Sequence, residues 1–455
     1  MEKNRICFIG NFYKTIVFET IANKLSKFGV EVFWILPKRS QYDDFINRYP
    51  EEKLLLLDRS IINLRNEPIG DFKLNEIIYG DRVWKYDICN GLKYLTNLQR
   101  PVYDFIKTNK ISIVFGELTW GQEILIYRMC NQIKELECSY FSQMVTRIPN
   151  GRFFFFDDEK QSKIIKISNS TTEYFDTTKI EKPKYLSINN IFIQKKMSIS
   201  GILRRMKLFI SNENIEKSDP NVLTNRFTRL RVVSKEILNQ QMYRFINRVT
   251  FEEIKDRKYI LFGFHKQPEA SIDVCGRYHE DQFANVLNIW RILPPGWLLV
   301  IKEHSNAIGD RSVGFFKKLL KYPNIVLINE YTDSHKLIEA AQLVITNTGT
   351  MGLEAALKNV PAITLSKVIF NCLNFCRHYT FLELENFNSI ESVIKDIIGS
   401  GNNKETFENL VKNYSFEGIL VDVVSNPNVM EDDNIDRLTH AFLKLIEYRN
   451  DISQR

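Results

Sequence analysis

Short apolar runs, polar loops and stretches with apolar residues at helical spacing follow one another along this chain, most regularly over Lys258–Ser366. There the order is strand YILFGF, loop HKQPEASIDVCGRYHE, helix DQFANVLNIWRIL, turn PPG, strand WLLVIK, loop EHSNAIGDR, helix VGFFKKLLKY and strand NIVLIN. Helix SHKLIEAA, strand LVITN, loop TGT, helix MGLEAALKN and strand PAITL complete it. Strand and helix in alternation predict a parallel sheet wrapped by helices on both faces. Such a sheet delivers the loops at its strands' carboxyl ends to one crevice.

The amino-terminal part repeats the theme less regularly. Residues 5–36 read as strand, helix and strand, with Gly10 closing the first strand and Gly29 stopping the helix. GNFY falls far short of a GxGxxG fingerprint, so dinucleotide binding is not expected here. Between residues 40 and 100, charged and aromatic residues interrupt every run and no elements can be drawn. The pattern recovers with a helix over 100–110, strand ISIVFGE ending on Glu117, a helix from Trp120, and strand CSYFSQ. Arg147 and Arg152 flank a Pro-Asn-Gly turn, and the phenylalanines of FFFF read as a strand. From about 160 to 255 the alternation is lost and basic amphipathic helices take over.

The expected class is therefore α/β: an N-terminal Rossmann-like domain over 1–160, an inter-domain helical insertion over 161–255, and a second Rossmann-like domain over 256–425. An amphipathic helix occupies the tail, 426–455. A length of 455 residues also implies more than one core. No apolar run is long enough for a membrane-spanning helix. The start, MEKNRICFIGNF, has no signal-peptide cleavage pattern, which predicts a cytosolic protein. Seven scattered cysteines without a CxxC pair favour reduced, buried thiols over zinc or a disulfide framework. The net charge of +7 is concentrated around 195–231, a stretch suited to the anionic inner face of a membrane. No nucleic-acid module accompanies it.

Three blocks carry candidate chemistry. In NTGTMGLEAAL, Thr348, Gly349, Thr350 and Gly352 surround a helix start, where unpaired amides suit a phosphate. Glu354, one turn in, is placed to accept from sugar hydroxyls. In KEHS, Lys302 ends a buried strand, a costly place for a charge without an anion, and His304 follows as phosphate ligand or proton donor. HKQPEAS adds His265, Gln267, Glu269 and Ser271 around a proline. In the first domain Glu117, at a strand's carboxyl end, is the candidate catalytic carboxylate. Gly10, Arg147 and Arg152 are candidate acceptor or anion contacts. The spacing of His265, Glu269, His279 and His304 matches no metal motif, and there is no DxD, so no metal is expected.

Taken together, QPEAS, LPPGWLLVIKEHSNAIGDR, PNIVLIN and NTGTMGLEAALKNVPAIT resemble the capsule polysaccharide biosynthesis family, which includes Kdo transferases. TRIPNGRFFFF resembles that family's weaker amino-terminal pattern. The resemblance implies a GT-B-like fold, two Rossmann-like domains facing across a cleft, with a last helix crossing back to the first domain. It also implies a nucleotide-sugar donor, often CMP-linked, held by Lys302, His304, Gly349, Thr350, Gly352 and Glu354. Ser305 stands where the family carries proline, and the acidic motif of its Kdo-transferring members is missing. The expectation is a metal-independent glycosyltransferase, with the nucleotide-sugar as co-substrate and no further cofactor, acting on a surface-polysaccharide or lipid-linked acceptor. The alternatives are an epimerase or hydrolase of nucleotide-sugars on the same fold, or a non-catalytic glycan-assembly factor.

Overall fold

The structure, a computed structural model, describes residues 4–169, 198, 200–204 and 215–453. Its strands in chain order begin with β1 (Arg5–Ile9), β2 (Glu31–Leu36), β3 (Leu54–Leu56), β4 (Ile113–Phe115), β5 (Ser139–Val145) and β6 (Arg152–Phe156). They continue with β7 (Tyr259–Gly263), β8 (Leu298–Lys302), β9 (Ile325–Ile328), β10 (Leu343–Thr346), β11 (Ala362–Thr364) and β12 (Cys376–His378). The last is β13 (Phe416–Glu417). The chain divides into two units: residues 1–175, 215–224 and 410–455, and residues 176–214 and 225–409.

In the first unit the sheet order is β13-β6-β5-β4-β1-β2-β3. The five strands from β3 to β5 are parallel, while β6 and β13 add on antiparallel. In the second the order is β12-β11-β10-β7-β8-β9, parallel throughout. Counted within each unit, both place the first strand beside the fourth. Both units are thus Rossmann-like, as the alternating pattern predicts. β7 and β8 are buried along their whole length, which is why YILFG and LLVIK are continuous apolar runs.

The first unit's core is aromatic. Phe8 of β1 lies 5.2 Å from both Phe18 and Phe115 between ring centres. Phe442 of the terminal helix Asp432–Ser453 lies 4.8 Å from Phe115 and 5.2 Å from Phe155. That helix buries Ile435, Leu438, Ala441, Phe442, Leu445 and Ile446, a stripe at three- and four-residue spacing.

Two expectations about organisation change. The second domain does not run to 425, because Phe416 of β13 pairs with Phe153 and the chain from Leu410 belongs to the first unit. Nor is 161–255 a separate insertion. Part of it, 170–197 with 199 and 205–214, lies outside the described residues, as does much of the basic stretch expected at a membrane. What is described is shared out: Asp219 and Val222 accept through their carbonyls from Arg59, at 2.9 and 2.6 Å, in the first unit. Helix Arg226–Tyr243 joins the second, where Asn239 donates to the Gly309 carbonyl at 3.0 Å and Tyr243 packs on Phe316. No described helix is long and apolar enough to cross a membrane.

Candidate functional site

In a sheet of this order the loops after the first and fourth strands diverge to opposite faces and leave a crevice at their carboxyl ends. In the first unit these are the loops after β1 and β4, and they bring together Asn11, Lys14 and Glu117. Asn11 Nδ2 donates to Glu117 Oε2 at 2.5 Å, and Lys14 Nζ pairs with Glu117 Oε1. The Asn11 amide is oriented by Trp120 Nε1, which donates to its Oδ1 at 3.3 Å. Both loops hold a non-glycine residue in the left-handed region, Phe12 at φ 42° and Leu118 at φ 56°. Each costs about 1–3 kcal/mol, which the surrounding packing must offset.

Beneath Glu117 lies Glu123, fully buried, accepting backbone N–H groups of Thr119 at 2.7 Å, Trp120 at 3.0 Å and Glu117 at 3.3 Å. Burial first, and the Glu117 charge second, push its carboxyl up to about 7 despite those donors. The loops open on a cavity of about 500 Å³ bordered also by Gln143 of β5 and by Asp422 and Ser425. Asp422 is held by its own turn, accepting from Ser425 Oγ at 2.6 Å and from the Val424 and Ser425 amides.

The second unit's equivalent crevice, after β7 and β10, is built around a buried histidine. His265 Nε2 lies 3.2 Å from Thr346 Oγ1 and accepts the Thr348 amide at 3.4 Å, which leaves the ring proton on Nδ1. Thr346 Oγ1 accepts the Gly349 amide at 3.2 Å, and Thr348 Oγ1 donates to the Ser271 carbonyl at 2.8 Å. Burial, with His304 and Arg311 close by, pushes His265 down to about 3, so the ring is neutral at physiological pH. A Cβ at Gly349 would lie 2.6 Å from Thr346 Oγ1 and 3.4 Å from the His265 ring, so only glycine lets this loop close on the strand.

Of the expected donor residues, the structure draws His265, Ser271, Thr348 and Gly349 into that cluster. Lys302 turns elsewhere: its ammonium donates to the carbonyl oxygens of Glu330 at 2.6 Å and Thr332 at 2.9 Å, which answers the cost of burying it without invoking a phosphate. His304 is exposed and accepts the Asn306 amide on Nδ1 at 3.2 Å. Thr350 Oγ1 faces Glu354 Oε1 at 3.4 Å, and the other Glu354 oxygen faces His335 at 3.6 Å. Gly352 packs toward Cys376 Sγ. Gln267 donates to Asp273 Oδ1 at 2.8 Å, and the Glu269 amide donates to Asp273 Oδ2 at 3.0 Å.

One first-domain expectation is corrected. Arg152 is a buried residue of β6 whose guanidinium donates to Ser415 Oγ at 2.7 Å and its carbonyl at 3.1 Å, tying down the chain ahead of β13 rather than presenting an anion site. Gly10 leaves room for Leu36, whose Cδ2 would lie 2.9 Å from an added Cβ. Arg147 stays exposed on the turn.

Sequence reasoning missed Asn11, Lys14, Glu123, Thr346, Glu303 and Arg311. Glu303 sat inside KEHS unremarked; it is buried and pairs with Arg311 Nη1 at 2.7 Å, while Arg311 Nη2 donates to the His265 carbonyl. Burial pushes Glu303 up to about 7, against the pull of Arg311. A buried strand end that carries an acid after a lysine was the available signal.

No protein-family model matches this sequence, and no curated protein matches it. Kdo transferases and UDP-GlcNAc 2-epimerases are among the solved structures to which it is similar. The KpsC β-Kdo 2,7 transferase of Thermosulfurimonas dismutans is 10% identical, with 92% of this chain and 94% of that one covered and a TM-score of 0.34. The UDP-GlcNAc 2-epimerase of Methanocaldococcus jannaschii is 12% identical, with 87% and 91% covered and a TM-score of 0.24. That of Rickettsia bellii is 12% identical, with 99% and 98% covered and a TM-score of 0.29.

Proposed function

We propose that this chain is a glycosyltransferase that moves a sugar from a nucleotide-activated donor, CMP- or UDP-linked, to a surface-polysaccharide or lipid-linked acceptor. The observation that carries the reading is the contrast between its two crevices, a carboxylate fixed by Lys14 and Asn11 in one unit and hydroxyl and amide groups gathered on the neutral ring of His265 in the other. The second unit holds the donor, with His265, Ser271, Thr348 and Gly349 lining the nucleotide. Glu117 takes the proton from an acceptor hydroxyl, whose oxygen then bonds to the anomeric carbon as the bond to the nucleotide phosphate breaks. The chemistry needs no metal, since fixed protein groups supply the electrostatics. Titration of the purified protein with CMP- and UDP-sugars, followed by product analysis with and without a glycan acceptor, tests this. Binding of one donor and acceptor-dependent release of nucleotide support it. An epimerised nucleotide-sugar or free sugar in the absence of acceptor redirects it to the epimerase or hydrolase alternative, and no binding of either nucleotide removes it.

A further inference from the structure

We propose that Gln143 is the specificity-determining residue of the first unit's cavity, and that the cavity takes a neutral ring bearing adjacent hydroxyls, which on the glycosyl-transfer reading is the acceptor sugar. Gln143 lies on β5, on the same face as Phe141 and Val145, and pairs across the sheet with Phe155. Only 5% of it is exposed, and among the described residues neither its Oε1 nor its Nε2 has a hydrogen-bond partner. The other polar groups of the wall are engaged: Asn11 and Lys14 with Glu117, and Ser425 with Asp422. A buried amide left in this state is costly, and an apolar side chain of its size would fit the aromatic stripe better.

The chemistry of the vacancy in its bonding selects the ligand. A carboxamide offers two N–H donors and an acceptor oxygen side by side. Two adjacent hydroxyls complete both ends at once, because each can donate and accept. A carboxylate would satisfy Nε2 alone, and a carboxylate or phosphate would also meet the carboxylates of Glu117 and Asp422 on the same wall. Phe12 and Tyr13, exposed at 40% and 59% and bordering the same cavity, offer apolar surface for the ring's C–H face.

The test is ligand-observed NMR with a panel of methyl hexopyranosides and inorganic phosphate on the wild-type chain, Gln143→Leu and Gln143→Met, with thermal unfolding of each. The expected result is binding of at least one glycoside, no binding of phosphate at the same site, and affinity about tenfold weaker in both variants. Their Tm should be equal to or above that of the wild type. Equal glycoside affinity in wild type and variants overturns the assignment, as does phosphate bound in place of glycoside or no glycoside bound by the wild type. So does a loss of binding that only accompanies a fall in Tm in both variants, which would make the amide structural. Nucleotide titration of the same samples separates this from the broader reading, since only the loss of donor binding in the wild type touches the latter.

Discussion

The two units put opposite chemistry at the same topological place. In the first, the residues after β1 and β4 make a charged site: Glu117 with Lys14 on one oxygen and Asn11 on the other. In the second, the residues after β7 and β10 gather on a neutral ring, His265 held near 3 by burial with His304 and Arg311 close by, and Arg311 itself is paired with buried Glu303. The strand order fixes where side chains converge, and burial decides their charge. Burial beside Thr346 neutralises the His265 ring, whereas Glu117 stays paired with Lys14 at the edge of a cavity.

Substitutions can break this contrast at either end. The largest effect is expected from Glu117→Gln, which keeps the shape but removes the charge: kcat for sugar transfer should fall about a thousandfold with donor affinity unchanged. Comparable loss in donor Kd would show that the first unit's charge serves binding instead. Next, Arg311→Met leaves Glu303 buried without its partner and should destabilise the chain by about 3–5 kcal/mol, read by denaturant unfolding. The loss should be greater at pH 8 than at pH 6, where Glu303 can take up a proton.

The third effect is a pH dependence. Glu123 and Glu303 titrate near 7 when folded, above the value of about 4.3 for an unfolded glutamate. The native state thus retains protons that the unfolded chain releases, and these two groups lower stability as pH rises from about 4.5 to about 7, with no further change above. Glu123→Gln should flatten part of that slope in urea unfolding measured across the range. The smallest is Gly349→Ala, whose methyl would crowd Thr346 Oγ1: a cost of about 1–3 kcal/mol and a donor Kd weakened about tenfold, by calorimetry. Unchanged donor affinity would separate the neutral cluster from nucleotide binding.

How much of this was legible follows from where each signal lies. The second unit's strands could be read because both faces of a parallel sheet are buried and the sequence shows unbroken apolar runs. Glu117 could be placed because it directly follows such a run. Residues 40–100 could not be drawn, because the long helix Ile88–Thr108 buries Asn97 and Gln99 among its apolar positions. Their amides bond the coil around them, Asn97 donating to the Ile61 carbonyl at 3.0 Å and Gln99 accepting the Ile69 amide at 2.8 Å, so the periodicity is blurred by polar groups whose partners are remote in sequence.

By itself, then, the sequence determined the alternation of strand and helix, the two Rossmann-like units and the loops that could carry chemistry, because these depend on local periodicity and on turn residues. Tertiary structure alone decided that Lys302 answers to backbone carbonyls, that Arg152 anchors Ser415, that Lys14 meets Glu117 and that the amide of Gln143 lacks a partner among the described residues. The physical reason is that the charge and hydrogen-bonding state of a side chain are set by whatever surrounds it in space. Those surroundings come from segments as far apart as Arg152 and Ser415, a pairing that no local pattern records.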